Sequence, residues 1–132
     1  MSEGFNESWR NSGDGQLLGP RDSRQVTMLV DTGATLTKIP ESVAKELGMR
    51  AEEVVSVMLA DGSLRSRGLG EARLEFGGRT RTVPILIGPD GEEQLLGLTT
   101  LEIFQLKVNP VTHQLEPAVP IEYAVSASML CD

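Results

Sequence analysis

The sequence has little of what small domains use for staples, metal sites or aromatic cores. There is a single cysteine, Cys131, near the end of the sequence. One thiol builds neither a disulfide framework nor a zinc cluster. There is a single histidine, His113, in a turn-like stretch, and its plain reading is solvent exposure. With so few soft ligands no metal is expected, and no other cofactor is expected. Aromatics make up only 4% of the residues, so the core should be aliphatic. No apolar run reaches membrane-spanning length and the start is polar, which points to a reducing, cytoplasmic setting with no membrane partner. Basic blocks are also missing. With a formal net charge of −7, nucleic acid is a poor partner and solubility is the simple reading of the charge.

What is present suits one domain. A chain of 132 residues can bury a modest core. Fourteen glycines and seven prolines imply many turns and an all-β leaning.

One stretch organises the rest: Met28-Leu29-Val30-Asp31-Thr32-Gly33-Ala34-Thr35-Leu36-Thr37. Three apolar residues read as a buried strand. That strand delivers the Asp31 carboxylate to a tight turn, where Gly33 permits unusual backbone angles or a close approach. The plainer reading of Asp31 is a turn residue that hydrogen-bonds its own loop.

Residues 1–14 read as a mobile N-terminal tail, with Phe5 and Trp9 its only aromatics. Gln16 to Leu18 reads as a short strand and Gly19 to Asp22 as a turn. Gln25 to Val30 is expected as one strand leading into Asp31, and Leu36 to Ile39 as the strand leaving it. Pro40 opens a helix over Glu41 to Leu47, with Pro at the first helical position and Gly48 as the stop. Its apolar side is Val43, Ala44 and Leu47.

Asp61-Gly62, between strands Glu53–Ala60 and Ser63–Phe76, is a hairpin signal. Gly68 and Gly70 in the returning arm suggest a bulge or bend. Gly77-Gly78 makes the next hairpin turn. Thr80 to Ile87 follows as a strand, with Pro84 marking an edge or irregularity. After the polar loop Gly88-Pro89-Asp90-Gly91 comes a second strand-to-turn unit, Gln94-Leu95-Leu96-Gly97. Thr99 and Glu102 read as a capping box that starts a second helix, with Leu101, Ile103 and Phe104 as its apolar residues. Leu106–Val108 and Gln114–Glu116 form a last hairpin, and residues 118–132 read as a C-terminal tail.

Asp31-Thr32-Gly33-Ala34 after an apolar strand resembles the active-site loop of the retroviral-type (retropepsin-like) aspartic peptidases, and Leu95-Leu96-Gly97 resembles their later two-hydrophobics-then-glycine signature. Residues 95–117 are similar to the C-terminal part of the bacterial members. The resemblance covers roughly residues 26–117. It implies an all-β fold with two short helices, a half-barrel with one lobe per chain, over residues 15–117. It implies that Asp31 is the catalytic carboxylate, and that Thr32 hydrogen-bonds across a dimer. Gly33 would offer its carbonyl to a peptide, while Ala34 and Thr35 line the cleft. The hairpin residues Ala60, Asp61, Gly62 and Ser63 would belong to a flap that contacts the substrate. Leu95, Leu96 and Gly97 would support the loop from beneath. Many retroviral enzymes carry a second acid where this chain has Thr35, so backbone contacts there would differ.

The chemistry such a family performs needs two carboxylates sharing one proton around a water. This chain has one Asp-Thr-Gly. The second acid would then come from a second copy about a two-fold axis. Three readings stand on sequence alone: a homodimeric endopeptidase acting on a peptide or protein substrate, a silent dimerisation or peptide-binding module on the same fold, and a small β domain with coincidental motifs.

Overall fold

A computed structural model describes residues 15–119. Residues 1–14 and 120–132 of the two expected tails, with Phe5, Trp9 and Cys131, lie outside the described residues; the Ala118 N–H donates to the Gln105 carbonyl at 2.8 Å. The first elements are β1 (Gly15–Leu18) and β2 (Ser23–Val26), which pair antiparallel around the Gly19–Asp22 turn. Next comes β3 (Leu29–Val30), followed by β4 (Thr37–Pro40) and helix α1 (Glu41–Leu47). The strands β5 (Glu53–Met58), β6 (Leu64–Phe76) and β7 (Arg79–Gly88) form a meander. The chain continues through β8 (Leu95–Leu96), helix α2 (Leu98–Ile103), β9 (Leu106–Val108) and β10 (Leu115–Pro117).

Eight strands make one curled half-barrel sheet in the order β2-β1-β6-β7-β4-β8-β3, with β5 also paired to β6. β9 and β10 form a separate two-stranded sheet. The fold is thus mostly β with two short helices, as expected.

Alternation builds the core. Leu17, Ile39, Leu74, Val83, Ile85 and Leu96 face one side of the sheet and are fully buried, and Val43, Ala44 and Leu47 of α1 close over them. The core is aliphatic except where Phe76 and Phe104 meet edge to face, with ring centroids 6.5 Å apart.

Several expectations change. The strand expected over Gln25–Val30 is broken: Gln25 and Val26 pair with β1, whereas Leu29 and Val30 pair in parallel with β8 at the far end of the sheet. The chain crosses the sheet at Thr27-Met28, and Met28 is fully buried there. The β5–β6 hairpin loop has three residues, Ala60 to Gly62, because Leu59 donates to the Ser63 carbonyl at 2.8 Å. Gly68 and Gly70 form no bulge, since β6 keeps an unbroken register with β5 and β7. They make room instead. A Cβ on Gly70 would lie 2.6 Å from the Arg50 carbonyl oxygen, and one on Gly68 would lie 2.8 Å from the Ala51 Cβ. The chain entering β5 passes over β6 at that point, which only a bare backbone allows. Pro84 sits in register opposite Glu71, one residue before β7 begins to pair with β4. Its missing N–H therefore falls just outside that second ladder.

Pro40 is the residue before α1 rather than its first helical residue, and it gives no side-chain cap. The cap comes from the loop after β7, where the Asp90 carboxylate accepts the Ser42 backbone N–H at 2.9 Å. Gly48, at φ 77°, ends the helix as expected. The Asp90 carboxyl is held below the usual carboxylate range, first by the Ser42 backbone N–H and then by the Ser42 side chain. A folded value below the unfolded one stabilises the fold above the unfolded value, about 3.9, and the gain is lost as pH falls through the folded value. Asp90→Ala should lower the urea midpoint at neutral pH, and the two midpoints should converge on acidification below that window. A deficit that stays constant with pH would exclude the carboxylate cap as its cause.

Candidate active site

β3 and β4 are consecutive in the chain but not adjacent in the sheet, because β8 lies between them. Leu29 and Val30 pair with Leu95 and Leu96 in parallel, and Lys38 pairs with Leu95 from the other side. The loop from Asp31 to Leu36 must therefore arch over the end of β8. The residue under the arch is Gly97. A Cβ there would stand 2.4 Å from the Leu36 carbonyl carbon and 2.5 Å from its oxygen. No side chain fits.

The arch is pinned along its length. The Asp31 N–H donates to the Leu96 carbonyl at 3.0 Å. The Leu98 N–H donates to the Ala34 carbonyl at 2.8 Å, and the Thr99 N–H to the Thr35 carbonyl at 3.0 Å. These two donors belong to the first turn of α2, whose N–H groups have no partner within the helix. This is why the expected Thr99–Glu102 capping box does not form. The helix starts at Leu98 behind Gly97 with no side-chain cap, and the arch supplies the acceptors.

The sequence reading missed Thr37 and Thr100. Both are buried, their hydroxyls are 2.7 Å apart, and the Thr37 hydroxyl accepts the Gly97 N–H at 3.1 Å. Thr37 stands between Leu36 and Lys38 at the start of a strand, and nothing local to it signals a partner 63 residues away.

Within the arch, the Asp31 Oδ1 accepts the Gly33 N–H at 2.9 Å, and the Ala34 N–H closes the turn on the Asp31 carbonyl at 3.1 Å. Asp31 is half-buried and Thr32 and Gly33 are exposed. Gly33 does not adopt a positive φ. Its role is the close approach, since a Cβ would meet the Asp31 Oδ1 at 3.2 Å.

Beside the arch runs a cleft of about 500 Å³. The loop contributes Gly33, Ala34, Thr35 and Leu36 to its wall, β8 contributes Leu95, and the β5 arm contributes Val55 to Leu59. Ala60, Asp61, Gly62 and Ser63 do not line it in the single chain. The Asp61 carboxylate instead accepts the Ser63 N–H at 2.9 Å and the Ser63 hydroxyl at 2.6 Å, which keeps the tip turn in shape and holds the carboxyl below its usual range. Thr32 faces away from the cleft and borders a second groove with Leu98, Leu101 and Leu106. The β5 residues could have been found from sequence, because Val55 and Val57 are the inward positions of an alternating strand.

A family model described as gag-polyprotein putative aspartyl protease matches residues 21–103. The chain belongs to that family. The matched residues run from the turn before β2 to the end of α2 and so contain every contact that builds the arch of this retropepsin-like aspartyl protease lobe. No curated protein matches the sequence. No helix among the described residues is long and apolar enough to cross a membrane. Among those residues, no cluster of three or more His, Cys, Asp or Glu side chains could hold a metal ion.

Two substitutions test the arch. Gly97→Ala should cost about 3 kcal/mol, at the upper end of overpacking, because backbone must move. Thr37→Val leaves the Gly97 N–H and the Thr100 hydroxyl unpaired and should cost about 1–3 kcal/mol. Denaturant melts read both. A Gly97→Ala protein as stable as wild type would mean the arch is not held by this contact.

Proposed function

We propose that the protein is an aspartic endopeptidase that works as a homodimer, each chain supplying one Asp31 to a shared site. The observation that carries this reading is a single carboxylate on a rigid, pinned arch at the edge of an open cleft. Among the described residues, its Oδ1 is satisfied by Gly33 and its Oδ2 has no protein partner. In this reading Asp31 is half of a pair. A second copy about a two-fold axis would bring the mate.

The two carboxylates would share one proton, because like charges held close together cannot both ionise easily. The ionised member takes a proton from the attacking water. The protonated member hydrogen-bonds the scissile carbonyl, and the resulting tetrahedral carbon expels the amine as it is protonated. No bond to the enzyme forms. The Gly33 carbonyl and the Ala34–Thr35 stretch hold the peptide backbone, and exposed Thr32 meets its copy across the axis. The β5–β6 hairpin, with Ala60 to Ser63 at its tip, acts as the flap. Its tip carries the directly paired Met58 and Leu64, 73% and 61% exposed, an apolar pair that a bound peptide would cover.

Peptide cleavage by wild type and Asp31→Asn, with sedimentation across a concentration range, tests the proposal. Asp31→Asn should lose at least ~1,000-fold in kcat while keeping fold and dimer, because it keeps the shape and removes the shared proton's chemistry. Wild-type activity should form a bell on the acidic side of neutrality, falling at higher pH as the pair loses that proton. Equal activity of the two proteins would overturn the enzyme reading. Inactivity of both with peptide binding intact would make the protein a binding module.

A further inference from the structure

The sheet face that lines the cleft carries an unexpected charge. Residues directly opposite in neighbouring strands point to the same face. Leu69 lies opposite Leu86, Leu86 opposite Lys38, and Lys38 opposite Leu95. Arg67 stands two residues before Leu69, hence on the same face, and opposite Val55. All six line the cleft. The wall is therefore an aliphatic ladder interrupted by two cations, and no acidic residue lines it among the described residues. In a chain of net charge −7 that is a local reversal of sign.

Neither cation is a solvated surface group. The Arg67 side chain is 10% exposed and that of Lys38 is 18% exposed. One carboxylate serves both: Lys38 Nζ is 2.7 Å from Glu92 Oε1, and Arg67 Nη2 is 3.3 Å from Glu92 Oε2. Glu92 lies outside the cleft wall and is 38% exposed. The Lys38 hydrogen bond, followed by the positive charge of Lys38 and Arg67, holds its carboxyl below the usual range, so it is ionised at neutral pH. Two cations against one anion leave one formal positive charge at the wall. Donors remain as well, since a lysine has three and an arginine five. The Arg67 Nη1 uses one on the Ser66 carbonyl.

We propose that Lys38 and Arg67 form a subsite for a carboxylate side chain, so that the cleft selects peptides carrying Asp or Glu within the segment that lies along the aliphatic ladder. The proposal rests on the peptidase reading for its substrate class. The subsite itself rests on the juxtaposition of two sparingly hydrated cations, a single shared counter-ion and an apolar wall. Lys38 and Arg67 act on specificity and touch none of the reacting atoms.

The test uses matched peptide libraries of aliphatic residues with one position held as Asp or as Asn, scanned along the peptide, at neutral and mildly acidic pH. With wild type, the Asp member should be favoured about tenfold in KM at one position, which corresponds to about 1.4 kcal/mol, with kcat unchanged. Lys38→Gln and Arg67→Gln should each bring the ratio close to one. Glu92→Gln should raise the ratio severalfold, because it frees both cations from the one acid they share among the described residues. A purely structural ion cluster would lower stability in all three variants and leave the ratio unmoved. Equal KM for the two libraries in wild type and in Glu92→Gln overturns the subsite and leaves the peptidase reading intact. If nothing is cleaved, the Kd of the same libraries decides: an acidic preference supports the subsite on a peptide-binding cleft, and equal Kd values overturn it.

Discussion

The arrangement depends on one crossing, the passage of the Asp31 loop over the end of β8. Because β8 lies between two consecutive strands, that loop has to lie directly on the backbone at Gly97, with no space for a Cβ. Close contact then permits the rest. The Ala34 and Thr35 carbonyls reach the first N–H groups of α2, and the Thr37 hydroxyl reaches Gly97. The helix is thereby fixed to the loop, and it carries Phe104 onto Phe76 and the core. The Asp31 carboxylate shares in that support, since a loop held from beneath keeps its geometry.

The sheet divides its labour by face. Period-two alternation sends Ile39, Ile85 and Leu74 into the core, while Lys38, Leu86 and Leu69 go to the cleft. Long side chains suit the second face, because the Lys38 stem can pack on Gly88 while its ammonium reaches Glu92. Partly buried ion clusters of this kind add little net stability, as desolvation offsets most of the attraction. Their value lies in fixing position and sign. The loop after β7 has two such tasks within three residues: Asp90 caps α1 and Glu92 balances the cleft cations. Sequence spacing alone would have filed both as ordinary loop acids.

Local physics was enough for several features. The Asp31 turn, the Gly77-Gly78 hairpin and the Glu41–Leu47 helix with its Gly48 stop all rest on neighbouring residues, and all were legible in the sequence. So were the two motifs, Asp-Thr-Gly-Ala and Leu-Leu-Gly, and the family resemblance they carry already implied that the second supports the first from beneath.

What needed the tertiary structure is whatever draws its partner from far along the chain. The break at Thr27-Met28 arises because the two halves of that stretch pair at opposite ends of the sheet. The apparent capping box at Thr99 gives way because carbonyls more than sixty residues earlier reach the helix first. Gly68 and Gly70 look like bulge glycines until the Arg50–Ala51 crossing shows that they are there for clearance. The cleft wall follows the same rule. Its cations come from β4 and β6 and their acid from the loop after β7, so their meeting is a property of strand order. The sequence by itself determined which residues turn, alternate and stop. Only the tertiary structure decided which of them touch, because hydrogen bonds and contacts between distant strands depend on topology and leave no periodic trace in the chain.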